Sequence, residues 1–112
     1  MSVQDITSKA EFDALLKTSP YVALQATATW CGPCKAISPI YNKLAESNKD
    51  AAAAKFVRFD IDADSDLTQE LGIRSVPAFF FFENGEKVDS VVGANPPALQ
   101  KAVGALVEKA SA

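Results

Sequence analysis

The sequence predicts an α/β fold in which a central mixed β-sheet carries helices on both faces. Three observations lead there. Strand-like apolar runs alternate with stretches of helical period along nearly the whole chain, the pattern of a layered α/β domain with parallel pairing wherever a helix intervenes. An Asn84-Gly85 turn between two strand-like runs adds an antiparallel hairpin at one edge. The 112 residues, 48% hydrophobic and 22% charged, suffice for one core and fit a single domain over 1–112, with no repeat or linker to divide it.

Val3–Ile6 reads as a short first strand. Ser8-Lys9-Ala10-Glu11 fits a capping box, and Phe12, Leu15 and Leu16 follow at i, i+3 and i+4, so an amphipathic helix starts there and Pro20 closes it. Residues 21–29, "YVALQATAT", are apolar or β-compatible without clean alternation, as in a strand covered on both faces. Next, Ile37, Ile40, Tyr41, Leu44 and Ala45 mark one face of a helix, with Pro39 in its interior as an expected kink. "KFVRFDI" (55–61) is a further strand and "SDLTQELG" a short helix ended by Gly72. "AFFFF" (78–82) and "KVDSVV" (87–92) are the hairpin strands. Asn95-Pro96-Pro97 supplies a cap and a first-turn proline for a last helix, whose buried stripe is Leu99, Val103, Leu106, Val107 and Ala110.

Net charge is −3 with the signs interspersed, so no basic face is offered to nucleic acid or to an anionic membrane, and no apolar run approaches spanning length. Neither a positive n-region nor an apolar h-region opens the chain, and the expected setting is the cytoplasm. Thiols are kept reduced there, so a close cysteine pair is more often catalytic or metal-binding than structural. The chain has no histidine, which excludes Ser-His and Cys-His dyads and every His-based zinc site.

Cys31 and Cys34 are the only two cysteines. Cys31 follows a buried strand and opens a helix, where unsatisfied backbone N–H groups favour thiolate over thiol. Cys34 lies about one turn on, on the same side. Gly32 permits a tight turn and Pro33 is tolerated in the first turn, so a disulfide could close and open with little backbone motion. Two thiols without imidazole fall short of a zinc ligand set, and no metal is expected. A staple closing so short a loop removes little unfolded-state entropy. A redox-active dithiol is the reading these residues favour.

The chain resembles a thioredoxin over essentially its whole length. Trp30-Cys31-Gly32-Pro33-Cys34-Lys35 is similar to the family's active-site motif, Gly72-Ile73-Arg74-Ser75-Val76-Pro77 resembles the segment whose proline is cis and faces the dithiol, and Asn84-Gly85 and Gly93 match the hairpin and the following glycine. The resemblance implies the thioredoxin fold and a protein disulfide reductase. Cys31 thiolate would attack a client disulfide, and Cys34 would resolve the mixed disulfide by attacking Cys31. No bound cofactor is implied; NADPH would enter indirectly, through a thioredoxin reductase. The implied partners are that reductase and disulfide-containing clients, met by a monomer. The family's nucleophilic thiol is itself the standing example of a depressed pKa, near ~7 against ~8.5 for a free thiol, which raises the thiolate fraction roughly 15-fold. Lower nucleophilicity returns about 5-fold, leaving about threefold. Positioning must therefore supply most of the acceleration, and Trp30, Gly32, Pro33, Val76, Pro77 and Gly93 are the candidate surface around Cys31.

The chain departs from the family pattern at Gln25, where many members carry a buried aspartate thought to deprotonate the second cysteine, and at Ala26, where an aromatic is usual. An amide is no base near neutral pH. Gln25 reads either as a hydrogen-bonded core amide with no kinetic role, or as a sign that Cys34 loses its proton to water or to the departing thiolate. "DIDADSD" (60–66) resembles a calcium loop, but Ser65 and Leu71 stand where glycine and glutamate are needed, so a solvated connection is expected. Phe79–Phe82 reads as a doubly covered strand. Two alternatives remain open: an oxidase or isomerase using the same dithiol, and a binding or scaffold module in which the dithiol is incidental.

Overall fold

The structure is a computed structural model and describes residues 2–111. Its elements run β1 (Val3–Asp5), α1 (Lys9–Thr18), β2 (Tyr21–Thr27), α2 (Gly32–Ser47), β3 (Ala54–Asp60), α3 (Ser65–Leu71), β4 (Ala78–Glu83), β5 (Glu86–Val92) and α4 (Pro96–Ala110). The sheet order is β1-β3-β2-β4-β5, with β1, β3 and β2 parallel, and β4 antiparallel to both β2 and β5. The mixed sheet flanked by helices is as the alternation of elements predicted.

Each helix start rests on a side chain that accepts one of the orphan N–H groups. Ser8 accepts from Glu11 N–H, Asp64 from Leu67 N–H and Asn95 from Ala98 N–H. The box at α1 is not fully reciprocal: the Glu11 carboxylate reaches Thr7 N–H at 2.8 Å, one residue before the cap. At the hairpin, Asn84 (φ 51°) and Gly85 (φ 86°) take the left-handed conformation that a two-residue turn requires. β2 ends at Thr27, two residues before the apolar run does: past its last β3 contact, Thr27 C=O accepting from Ile61 N–H, the chain turns, with Cys31 N–H donating to Ala28 C=O at 3.2 Å.

Two apolar layers enclose the sheet. On one side Ile37, Tyr41 and Ala45 of α2 and Leu99, Val103 and Leu106 of α4 pack on Ala23, Phe56, Phe79 and Phe81. On the other, Phe12 of α1 and Leu67 of α3 pack on Val22, Leu24, Val57, Phe59, Phe80 and Phe82. The four consecutive phenylalanines thus divide between the faces, as in a doubly covered strand. Ala26 lies in the second layer together with Ala78, Phe80 and Phe82. The Tyr41 hydroxyl donates to Ala23 C=O at 2.9 Å and Val57 C=O at 3.0 Å, which pins α2 to β2 and β3. Its burial pushes the phenol pKa far above the ordinary range, so it remains a neutral donor. This seating sets the N-terminus of α2 beyond the C-terminal end of β2, where the cysteines lie.

Candidate active site

Cys31 is the N-cap of α2 and is bonded to Cys34 through a disulfide with Cα atoms 5.3 Å apart. Its Sγ also accepts from the Cys34 backbone N–H at 3.1 Å, so the sulfur occupies the position where first-turn donors converge. Gly32 and Pro33 begin the helix, with the proline where a missing N–H costs least. Pro39 lies inside α2, and without its N–H the Lys35 carbonyl lacks a helical donor.

The cysteines are 3% and 1% exposed, so an incoming sulfur has to be guided along the surrounding surface. Ala28, Ile61 and Val76 pack against the pair. Val76-Pro77 is a cis peptide bond, and Pro77 C=O accepts from Gly93 N–H at 2.8 Å, with Gly93 at φ 94°. Among the described residues, no hydrogen bond involves the N–H or C=O of Val76. Trp30 is 66% exposed, which places its indole on the surface rather than in the core, and its Nε1–H donates to Asp62 at 2.7 Å. The structure thus joins Val76 to the cysteines by packing and Gly93 to Pro77 by a hydrogen bond, while Trp30, Gly32 and Pro33 form the exposed chain at Cys31.

Gln25 is fully buried and satisfied at both ends. Its Nε2 donates to Ser38 Oγ at 2.8 Å, and its Oε1 accepts from Arg58 Nη1 at 3.4 Å. The same guanidinium donates to Asn42 at 3.0 Å and pairs with Asp5 at 3.5 Å. Asp62, Ser38 and Arg58 had not been singled out from the sequence. Asp62 belongs to the acidic run read as solvated, and Asp64 of that run is in fact buried as the cap of α3. Arg58, a cation flanked by Val57 and Phe59 in the middle of the strand-like run 55–61, was the available signal for a buried polar partner. Among the described residues no cluster of metal-ligating side chains is present.

Comparison with known proteins agrees with this geometry. The thioredoxin family model matches residues 3–105. Thioredoxin Asp f 29 of Aspergillus fumigatus is 46% identical over 107 residues, spanning 95% of this chain and 96% of its own length. The thioredoxin of Malassezia sympodialis is 42% identical over 101 residues, 90% of this chain and 95% of its own. A crystal structure of Malassezia sympodialis thioredoxin superposes with a TM-score of 0.87 at 40% identity, covering 94% of this chain and 93% of that one. A buried Cys-x-x-Cys disulfide at a helix start, this sheet order and these likenesses agree, and the chain belongs to the thioredoxin family of thiol–disulfide oxidoreductases.

Proposed function

We propose that Cys31 is the nucleophile and Cys34 the resolving thiol of a general protein disulfide reductase. The observation that carries this reading is the N-cap position of Cys31, whose sulfur already accepts a first-turn N–H. The same donors favour the thiolate once the disulfide is reduced. Cys31 S⁻ attacks one sulfur of a client disulfide and expels the other as a thiolate. Cys34 loses its proton and attacks Cys31 Sγ, the reduced client leaves, and the Cys31–Cys34 bond re-forms. Two electrons have then passed to the client. A reductase drawing on NADPH returns them, and the domain itself holds no cofactor or metal.

Trp30, Gly32, Pro33, Val76, Pro77 and Gly93 form the docking surface in this reading. An extended client segment would pair with the Val76 N–H and C=O, in the manner of strand addition, while its sulfur enters beside Trp30. The working unit is one domain spanning 1–112, monomeric and cytoplasmic; no helix among the described residues is long and apolar enough to cross a membrane. Insulin disulfide reduction coupled to NADPH and a thioredoxin reductase tests the reading. Turnover by the wild type and its loss in Cys31→Ser are expected, whereas a Cys31→Ser chain with full activity would overturn it.

A further inference from the structure

The release step needs Cys34 as a thiolate, yet Cys34 is buried, and the strand leading to it carries a buried amide, Gln25, in its interior. What faces it follows from hydrogen-bond bookkeeping. Arg58 can only donate, so the Gln25 oxygen must face Arg58 and its NH2 must face α2. There the NH2 donates to Ser38 Oγ at 2.8 Å, which makes Ser38 an acceptor toward Gln25 and turns its own proton elsewhere. Among the described residues that proton has no acceptor; it does not bond back to its own helix as Thr18 does to Ala14 C=O at 3.3 Å. Ser38 is also four residues after Cys34 on α2. Residues i and i+4 are neighbours on a helix, so Ser38 lies one turn beyond Cys34 on the same face of α2.

We propose that Ser38 is a positioning residue for the release step: held by Gln25 through one lone pair, it offers its hydroxyl proton to Cys34 Sγ as negative charge develops there. This rests on the assignment of Cys34 as the resolving thiol. The Cys34 proton itself goes to solvent, since Ser38 is only half-buried, and no further reactant is consumed. Arg58 sets the orientation of the amide and so of the hydroxyl. The ionisable groups linked to this point are Cys31 on α2, bonded to Cys34, the exposed Lys35 next to Cys34, and Arg58 on β3, which bonds Gln25 and pairs with Asp5 of β1 at 3.5 Å. Tyr41 stays neutral, and α4 presents Leu99, Val103 and Leu106.

Reduced protein mixed with a substoichiometric amount of 5,5′-dithiobis(2-nitrobenzoate) releases one thionitrobenzoate as Cys31 attacks and a second as Cys34 resolves. Stopped-flow absorbance from pH 5 to 8 therefore reads the two steps separately. Ser38→Ala is expected to slow the second phase about tenfold, the scale of one hydrogen bond to a developing charge, and to move its pH midpoint up by about one unit. The first phase stays unchanged, and Ser38→Thr, which keeps a hydroxyl, restores the second. A Ser38→Ala second phase within twofold of wild type at every pH, a slowing without a shift in midpoint, or a Ser38→Thr variant as slow as Ser38→Ala would overturn the proposal. A Cys34→Ser variant that still gives the second release at a rate independent of protein concentration would overturn the assignment of Cys34 as the resolving thiol instead, so the two failures are told apart.

Discussion

Replacing Tyr41 by Phe removes one oxygen from beneath the active-site helix and leaves the ring in place. The ring's neighbours, Phe56 at 6.0 Å and Phe79 at 5.4 Å between centroids, are apolar and tolerate the change. What disappears is one proton shared between Ala23 C=O and Val57 C=O at 2.9 and 3.0 Å, deep in the layer beneath α2. A buried hydrogen bond of this kind is worth about 1–2 kcal/mol once the orphaned acceptors are included. Unfolding entropy of about 2.1 cal/mol/K per residue gives roughly 0.24 kcal/mol/K for 112 residues, so the melting temperature of the oxidised protein should fall by about 4–8 °C. A second signature separates this cause from loosened packing. Burial raises the Tyr41 pKa above its unfolded value of about 10, so its contribution is complete below that pH. Above it the unfolded chain ionises while the folded chain holds its proton, and wild-type stability declines by about 1.4 kcal/mol per pH unit from this source. Tyr41→Phe is spared that decline. Urea unfolding at pH 8, 10 and 11 should therefore show the wild-type advantage shrinking toward zero. A melting temperature within 1 °C of wild type, or a gap that stays constant across pH, would show that the Tyr41 hydroxyl does not hold α2 in this way.

Gln25→Asp places an acid in the same fully buried position beside Arg58. The second thionitrobenzoate phase should quicken near neutral pH, and because burial lifts the carboxyl pKa above about 3.9, the variant should lose stability relative to wild type as pH rises from about 4 to 7. Unchanged resolution kinetics would show that wild type lacks no base. Asp62→Ala removes the acceptor of the Trp30 indole. Trp30 is the only tryptophan, so its fluorescence anisotropy should drop. KM for insulin should rise about two- to fivefold with kcat nearly constant if the indole guides clients, consistent with loss of one exposed hydrogen bond. Unaltered anisotropy and KM would remove Trp30 from the docking surface.

The elements that local chemistry determines were legible in the chain. Ser8, Gly72, Asn84-Gly85 and Asn95-Pro96 mark their helix ends and turn through a cap or a positive φ, and such signals act over a few residues. The dithiol was legible for the same reason, since strand, cysteine, Gly-Pro and cysteine follow one another directly. Gln25 was legible as a buried amide, but its partners were not. Arg58 reaches it only because β2 and β3 pair in the register Gln25↔Arg58, and Ser38 only because α2 crosses that pair; neither relation is encoded in a local period. Asp62 was hidden for a similar reason: an acidic run reads as solvated, and the indole that one of its carboxylates holds lies 32 residues away in sequence. Asp64, within the same run, is buried by its capping role.

Covalent trapping shows whether ionised sulfur at position 31 attacks and position 34 frees it. Reduced Cys34→Ser incubated with an oxidised peptide disulfide and analysed by intact-mass and peptide mapping should accumulate a covalent adduct, one peptide chain heavier, at Cys31. Cys31→Ser under the same conditions should accumulate far less. Equal or greater adduct at Cys34 in Cys31→Ser, or none in either variant, would contradict the account.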